Sequence, residues 1–529
     1  MAARLAAASA HPNRPGPHLL TSMIDALIAL VPIAVVLVLM LVARWPAVRA
    51  GVAGLIAALV IAVLLFPFES VPGGIVVGIA GSIAEAVFIA LTILWIILPA
   101  LAIYRLQNET GAVDSLRTGL TQLSSDPRLT ALVVAWFFSL LLEGAAGFGT
   151  SAALAAPFLV AIGMTPVAAV TAAMIGHIVG VTFGAVGTPV VPMIAASGLE
   201  ATEISASMAL QTSVIAWSVP LVVGVFIARA YVDQPPQAWL TRMGLGLAAA
   251  VAFLVPFTLI AIFVGPELPT LGGAIVGGAV FILIVRRISA HDGPGDAGAG
   301  GMSLARAMAP YLILIALVLV TRLVPPLRDS LQDIAITWEA ADGTFSGSFQ
   351  PFYHPGTMLF LAFLGGAIVQ GARPPQLSAA LGGAARTLVP VAAALIAMLS
   401  LARIMVASEM VDTIAAAAAD ALGGAWPVLA PSVGALGTFV TGSATASNAL
   451  FSDLQVATAD AIGADVAMIL GAQGLGAALG NAIAPHNLIA AAAIVALAGR
   501  ENEILRRTLP VVIPLVIAAG AVAYVTVNL

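Results

Sequence analysis

The chain has 529 residues, of which 61% are hydrophobic and only 9% charged, with a mean hydropathy of +1.09 and a formal net charge of −5. Soluble domains are about one quarter charged, so an ordinary water-soluble enzyme is excluded. Uncharged apolar runs recur from end to end, each long enough to cross roughly 30 Å of hydrocarbon. All 20 basic residues are arginine, and lysine and cysteine are absent. That removes Walker-lysine and Schiff-base chemistry, disulfides, thiolate metal sites and cysteine nucleophiles. No basic stripe offers a surface to nucleic acid.

In chain order, residues 1–20 hold three prolines and no continuous apolar run, and read as a mobile tail rather than a cleaved signal. Apolar spans follow near 23–43, 50–67, 74–104, 129–163, 166–197, 204–228, 243–264, 268–285, 307–324, 356–371, 387–407, 426–465, 466–498 and 508–527. Several exceed 30 residues and carry Gly, Pro or Ser/Thr near the middle, so each of these is expected to contain two half-segments. The expectation is an all-α polytopic membrane protein of about 12–16 spanning or re-entrant segments. Arginines cluster in alternate loops (Arg44 and Arg49; Arg105, Arg117 and Arg128; Arg229 and Arg242; Arg286, Arg287 and Arg306; Arg373 and Arg386; Arg500, Arg506 and Arg507). Basic loops stay cytoplasmic, which puts the acidic loop 325–355 and both termini outside. The Gly/Asp-rich stretch 287–305 reads as a cytoplasmic linker between a first membrane half, 21–286, and a second, 306–529.

Four places interrupt an apolar run with small polar residues: 143–150 (EGAAGFGT), 184–189 (GAVGTP), 441–448 (TGSATASN) and 480–487 (GNAIAPHN). Glu143 and Thr441 are 298 residues apart, and Pro189 and Pro485 are 296 apart. Two pairs at nearly one offset point to an internal repeat, a signature of secondary transporters. Backbone groups released from a helix cannot stay unpaired in lipid. They must be buried against protein or line a wet cavity, where free N–H groups and half-helix N-termini attract an anion. Taken singly, each break is better explained by glycines serving helix packing and hydroxyls bonding to their own turn. The pairing shifts the balance towards a site.

At these same residues the sequence resembles the bacterial L-lactate permease family. The telling stretches are LLEGAAGFGTSAALAAPFLVAIGMTPVAA (141–169), FGAVGTP (183–189) and TGSATASNALFSDLQVATA (441–459), with GRENEILRR near the end. The resemblance implies uptake of a small 2-hydroxymonocarboxylate (L-lactate, D-lactate or glycolate) together with protons, and a fold with inverted repeats and re-entrant hairpins. Four positions depart from the family pattern. Ala444 stands where aspartate is usual, His177 where a small or amide residue is usual, Arg403 where an aromatic is expected, and Glu409 where glycine is expected. A member that has lost an acid and gained an arginine is a candidate for a different or more highly charged anion.

Charges at membrane depth cost at least about 2.5 kcal/mol, so each needs a reason. Glu143, beside the glycine turn, is a candidate proton carrier, with a structural carboxylate as the alternative. His177 is a candidate proton relay, with a satisfied intrahelical histidine as the alternative. Arg403 is a candidate carboxylate receptor through two hydrogen bonds, against snorkelling or pairing with Glu409 or Asp412. The candidate substrate-binding set is Gly147, Phe148, Gly149, Thr150, Gly187, Thr188, Arg403, Thr441, Ser443, Thr445, Ser447, Asn448, His486 and Asn487. Glu85, Asp453 and Gln455 are polar residues in apolar runs to which the sequence assigns no role. No cofactor, metal or nucleic-acid partner is expected; the partners are a small anion, H+ (or Na+) and the bilayer. The reading is an inner-membrane secondary transporter with a midplane site at the four breaks. The rivals are a sibling transporter moving another organic anion with Na+, a channel, and an intramembrane enzyme, which lacks any convergent catalytic set here.

Overall fold

A computed structural model describes residues 19–121, 126–147, 150–231, 239–288, 302–497 and 499–528. Among them, nine helices are long and apolar enough to cross a membrane, or up to twelve when each of three sharply bent helix pairs counts as one span. Four shorter apolar helices accompany them: Ser151–Ala161, Pro166–Val181, Thr188–Ser197 and Pro355–Gln370. This is a multi-pass α-helical membrane protein. Proline opens many of the helices (Pro127, Pro166, Pro269, Pro355, Pro374, Pro485), where its missing N–H costs nothing and its fixed φ suits the first turn.

Two long helices form a central pair: Gly74–Glu109, 36 residues, and Pro374–Ala407, 34 residues. They pack along each other through Ile93, Ile96, Ile97, Leu395 and Leu399, with Ala100 and Ala384 allowing close approach. The second helix starts 13 residues before the hydropathy-based boundary at 387. Its first turns carry Gly382, Gly383 and Arg386, which lower hydropathy without stopping the helix. Arg105 of the first helix lies over Gly383 and donates to Thr387 Oγ1 at 2.8 Å.

The sequence halves interleave. One core cluster joins helices of 127–288 to residues 470–519, and a second joins 86–106 to 311–399 and to Ala185 and Leu271. The loop after Leu323 is more ordered than a plain external loop. It holds a helix, Pro325–Gln332, bent 89° from its predecessor, and an antiparallel hairpin of β1 (Ile336–Ala340) and β2 (Phe345–Phe349). Its register pairs Trp338 with Gly347, and Ala341, Asp342 and Gly343 turn it through positive φ. Phe345 is buried against Gly81, where a side chain would overlap the ring, so the hairpin is seated on the Gly74–Glu109 helix.

Candidate functional site

All four polar interruptions are breaks in helices. The first is the tip of a hairpin: a π-helical turn, Val133–Phe138, runs into Ser139–Ala145, the chain turns at Gly147 (φ +55°), and Thr150–Ala161 leads away. The second is an unwound stretch in which Gly184, Val186 and Gly187 all take positive φ before the 3₁₀ turn Thr188–Val190. The third is a second hairpin, Trp426–Thr441 and Ala444–Ile462, hinged at Gly442 (φ +74°). The fourth separates Val466–Asn481 from Pro485–Ile494.

The breaks touch one another in a matching pattern. In the first half the hairpin's Gly144 carbonyl accepts from Val186 N–H at 3.3 Å; in the second, the Gly442 carbonyl accepts from Asn487 Nδ2 at 3.2 Å. Among the described residues, two side-chain bonds join breaks of different halves: Asn448 Nδ2 donates to Pro189 O at 2.8 Å, and His177 Nε2 lies 3.0 Å from Asn481 Oδ1. Three helices of eight residues or more start here, at Thr150, Ala444 and Pro485. Each brings the partial positive charge of its N-terminus to the same region. Such an arrangement attracts and orients an anion through backbone N–H groups and dipoles.

The sequence-derived residues fall into distinct surroundings. Glu143 is 3% exposed, and its Oε2 accepts from Ser151 Oγ at 2.7 Å, a strut across the hairpin tip. Gly180 lies against its Cγ, where a Cβ would come within 3.3 Å. His177 is buried, with Nδ1 2.8 Å from Ala173 O. Each ring nitrogen faces an oxygen, and the tautomer decides which of them donates. Thr188 Oγ1 donates to Ala185 O, and Gly187 rests on Pro266. Thr441 Oγ1 donates to Gly437 O and accepts from Ser443 N–H, while Ser443 caps the next helix by accepting from Ala446 N–H. Ser447 Oγ donates to Gly434 O at 2.9 Å, and Thr445 is buried. His486 is exposed, its ring beside Gly442. Phe148, Gly149 and the Thr150 side chain lie outside the described residues. Gly147 closes on Ala185, where a Cβ would sit 3.1 Å from its backbone nitrogen.

Arg403 stands apart from the breaks. It lies between Glu85 (Nε to Oε2, 3.8 Å) and Asp453 (Nη1 to Oδ1, 3.5 Å), not beside Glu409 or Asp412. Asp453 follows Asn448 by five residues on one helix, so ~7.5 Å of axial rise separates the arginine's partner from the cross-half bond. Ala444 is packed by Val181, Ala477 and Ala478, an apolar setting.

Sequence reading passed over the residues that organise this centre. Gln473 donates from Nε2 to Asn448 Oδ1 (3.3 Å) and Ser447 Oγ (3.4 Å), and its Oε1 accepts from Gln455 Nε2 at 2.8 Å. Trp426 Nε1 in turn donates to Gln455 Oε1. Amides in an otherwise apolar run were the available signal, since buried amides must find partners. Asn481 and Ser151 belong to the same set, holding His177 and Glu143.

A multi-pass helical bundle whose interrupted helices meet at a buried, dipole-lined centre is the architecture of a membrane transporter, not of an enzyme. The L-lactate permease family model matches residues 25–529, and the chain belongs to that family. It is 30% identical to an L-lactate permease of Streptococcus iniae over 83% of this chain and 91% of that one. It is 28% identical to the Bacillus subtilis L-lactate permease, covering 92% and 93%, and 28% identical to the Escherichia coli glycolate permease GlcA, covering 92% of each. Among solved structures it is similar to Neisseria gonorrhoeae MtrF (17% identity, TM-score 0.49, covering 98% of this chain and 96% of that one).

Proposed function

We propose that this protein imports a small 2-hydroxymonocarboxylate (L-lactate, D-lactate or glycolate) with protons across the bacterial cytoplasmic membrane, by alternating access between two inverted repeats. The observation that carries the reading is the meeting of three helix N-termini and two unwound segments at one buried place, bonded across the halves by Asn448 and His177. The family's named substrates are hydroxy acids, and such a centre supplies what they need. Dipoles and backbone N–H groups near Gly147, Gly187 and Thr188 would hold the carboxylate, with Phe148, Gly149 and Thr150 as further members of the proposed set. Thr441, Ser443, Thr445, Ser447, Asn448, His486 and Asn487 would serve the hydroxyl and the second face. Glu143 would carry a proton, relayed by His177, so that the anion's charge is offset during the crossing.

One observation favours a sibling reading, in which the same architecture moves another organic anion with Na+. Ala444 brings no carboxylate to its apolar setting, and Arg403 adds a cation.

Uptake of radiolabelled L-lactate and glycolate into proteoliposomes tests both. Accumulation driven by an inward pH gradient and abolished in Glu143→Gln is the expected result; this variant keeps the side chain's shape while removing its titration. Accumulation driven only by a Na+ gradient, or none with either acid from folded protein, would overturn the hydroxy-acid–proton reading and favour the sibling.

A further inference from the structure

The connection 264–268 joins the spans Met243–Phe263 and Pro269–Arg287, and its last four residues, Gly265 to Leu268, are all buried, the charged Glu267 among them. Connecting segments normally run over the surface, where water satisfies their backbone, so a buried one needs a reason. Pro266 and Pro269 bracket Glu267 and Leu268 and fix two of the φ angles in the segment.

What this segment and the first turn after it touch is the first two breaks. Gly187, at the end of the unwound stretch, lies on Pro266, and a Cβ there would come within 3.1 Å of the Pro266 carbonyl. Gly144, in the hairpin tip, lies on Leu271, and a Cβ there would come within 2.7 Å of the Leu271 backbone nitrogen. Leu268 and Leu271 share one apolar cluster with Ala145, Ala185 and Val186. Thr270 Oγ1 donates to Gly180 O at 2.9 Å. Residues 266–271 are therefore a platform on which both breaks of the first half rest, and the contacts at Gly187 and Gly144 are backbone against backbone.

The platform is fastened to the second half by one ion pair. Glu267 Oε1 accepts from Arg322 Nη2 at 2.8 Å, and the same Nη2 donates to Tyr353 O at 3.0 Å. The side chains are 8% and 5% exposed, and the guanidinium lies 3.5 Å from the centre of the Tyr353 ring. Arg322 ends the helix Ala309–Leu323, and Tyr353 stands just before Pro355–Gln370. Glu267 Oε2 and Arg322 Nη1 make no hydrogen bond, so the pair is closed through a single bond where a carboxylate and a guanidinium can make two. A buried pair that leaves bonding capacity unused is a weak source of stability. Its placement is the more informative property, because Glu267 is the residue next to the one that carries Gly187.

We propose that Glu267 and Arg322 are positioning residues for transport: their pair fixes the platform 266–271, and the platform sets the geometry of the first two breaks. Neither residue is assigned a contact with substrate. Without the pair the platform is free to shift, and Gly187 and Gly144 shift with it because no rotatable side chain lies between. The inference rests on the transport reading and adds to it two residues outside the breaks.

The test uses the full-length protein carrying Glu267→Leu together with Arg322→Met, which removes the pair without leaving either charge buried alone. Three measurements are made beside wild type: thermal denaturation in detergent, L-lactate counterflow in proteoliposomes over a range of lactate concentrations, and amide exchange across 184–190. We expect a melting temperature close to that of wild type, a half-saturating lactate concentration raised at least about threefold, and faster exchange across 184–190. Thr270→Val, which removes only the bond to Gly180 O, is expected to move the same two readouts in the same direction, and it decides the matter if the double variant does not fold. A folded variant with wild-type half-saturation and wild-type exchange across 184–190 overturns the proposal. Wild-type protein that neither exchanges nor accumulates lactate or glycolate removes the transport reading instead, while the amide exchange still reports whether the pair holds the second break.

Discussion

Individual residues in this protein are held by contacts with little room for change. Gly176 packs directly on the Ala135 carbonyl of the π-helical turn, where a methyl group would overlap it. Both sides of that contact are backbone, so neither can rotate away. Gly176→Ala is therefore expected to cost about 1–3 kcal/mol or more and to displace His177, and a sharp fall in the yield of monodisperse protein would register it. Arg322 offers a second case. It bonds Glu267 at 2.8 Å and Tyr353 O at 3.0 Å, and lies 3.5 Å from the centre of the Tyr353 ring, with both charged partners buried. Glu267→Ala leaves a buried guanidinium uncompensated, a change worth about 3–5 kcal/mol. Replacing both partners with apolar residues is expected to recover most of it, which thermal denaturation in detergent would measure.

At the scale of elements, the loop that carries the β-hairpin is tied down by a residue whose ionisation matters. His354 caps the helix Pro355–Gln370 by accepting from Gly356 N–H through Nδ1, which requires that nitrogen to be unprotonated. Burial, reinforced by the nearby Arg322 charge, holds its pKa down at about 4 instead of the usual 6.5. The folded loop thus binds fewer protons than the opened one, so its stability is complete above pH 6.5 and declines as pH falls towards 4. Amide exchange across 333–356 should accelerate over that window in wild type, and the acceleration should be blunted in His354→Asn, which can still cap. The amide ladder from Trp426 through Gln455 and Gln473 to Asn448 is the second such element. Gln473→Leu takes the donor from Asn448 Oδ1 and leaves Gln455 Nε2 with its longer bond to Ala430 O, at about 1–3 kcal/mol for the stranded acceptor. Exchange of lactate should fall more steeply than folding, because Asn448 is what Gln473 positions.

At the scale of the whole molecule, the two halves of the sequence are not two lobes in space. The first long helix packs with a second-half helix, and residues 466–528 pack into first-half helices. Asn448 to Pro189 and His177 to Asn481 are thus bonds between breaks of different halves at a shared centre. Any alternation of access has to rearrange around them. Asn448→Ala is expected to reduce counterflow at least tenfold and, because the residue is fully buried and also accepts from Gln473, to cost about 1–3 kcal/mol of stability as well. Proteoliposome exchange beside a melting curve separates the two effects. The same interleaving explains the setting of Arg403: Glu85 comes from the first half and Arg403 and Asp453 from the second, so no local pattern announces their pairing.

What the sequence by itself determined was whatever follows from short-range chemistry. Runs of apolar residues longer than the bilayer is thick dictate spanning helices, and Gly, Pro and hydroxyl clusters inside them dictate breaks, because backbone conformation responds to the residue that bears it. The spacing of those breaks and their motifs carried the family. Partner choice lay beyond it. That Glu143 is strutted by Ser151, that His177 finds Asn481, and that Arg403 sits between Glu85 and Asp453 instead of pairing with the acids a turn or two away depends on contacts across 8, 304, 318 and 50 residues. Helix starts and stops are set by the residues on the spot, whereas the meeting of four distant breaks is set by how long helices pack, and only the tertiary structure decides that.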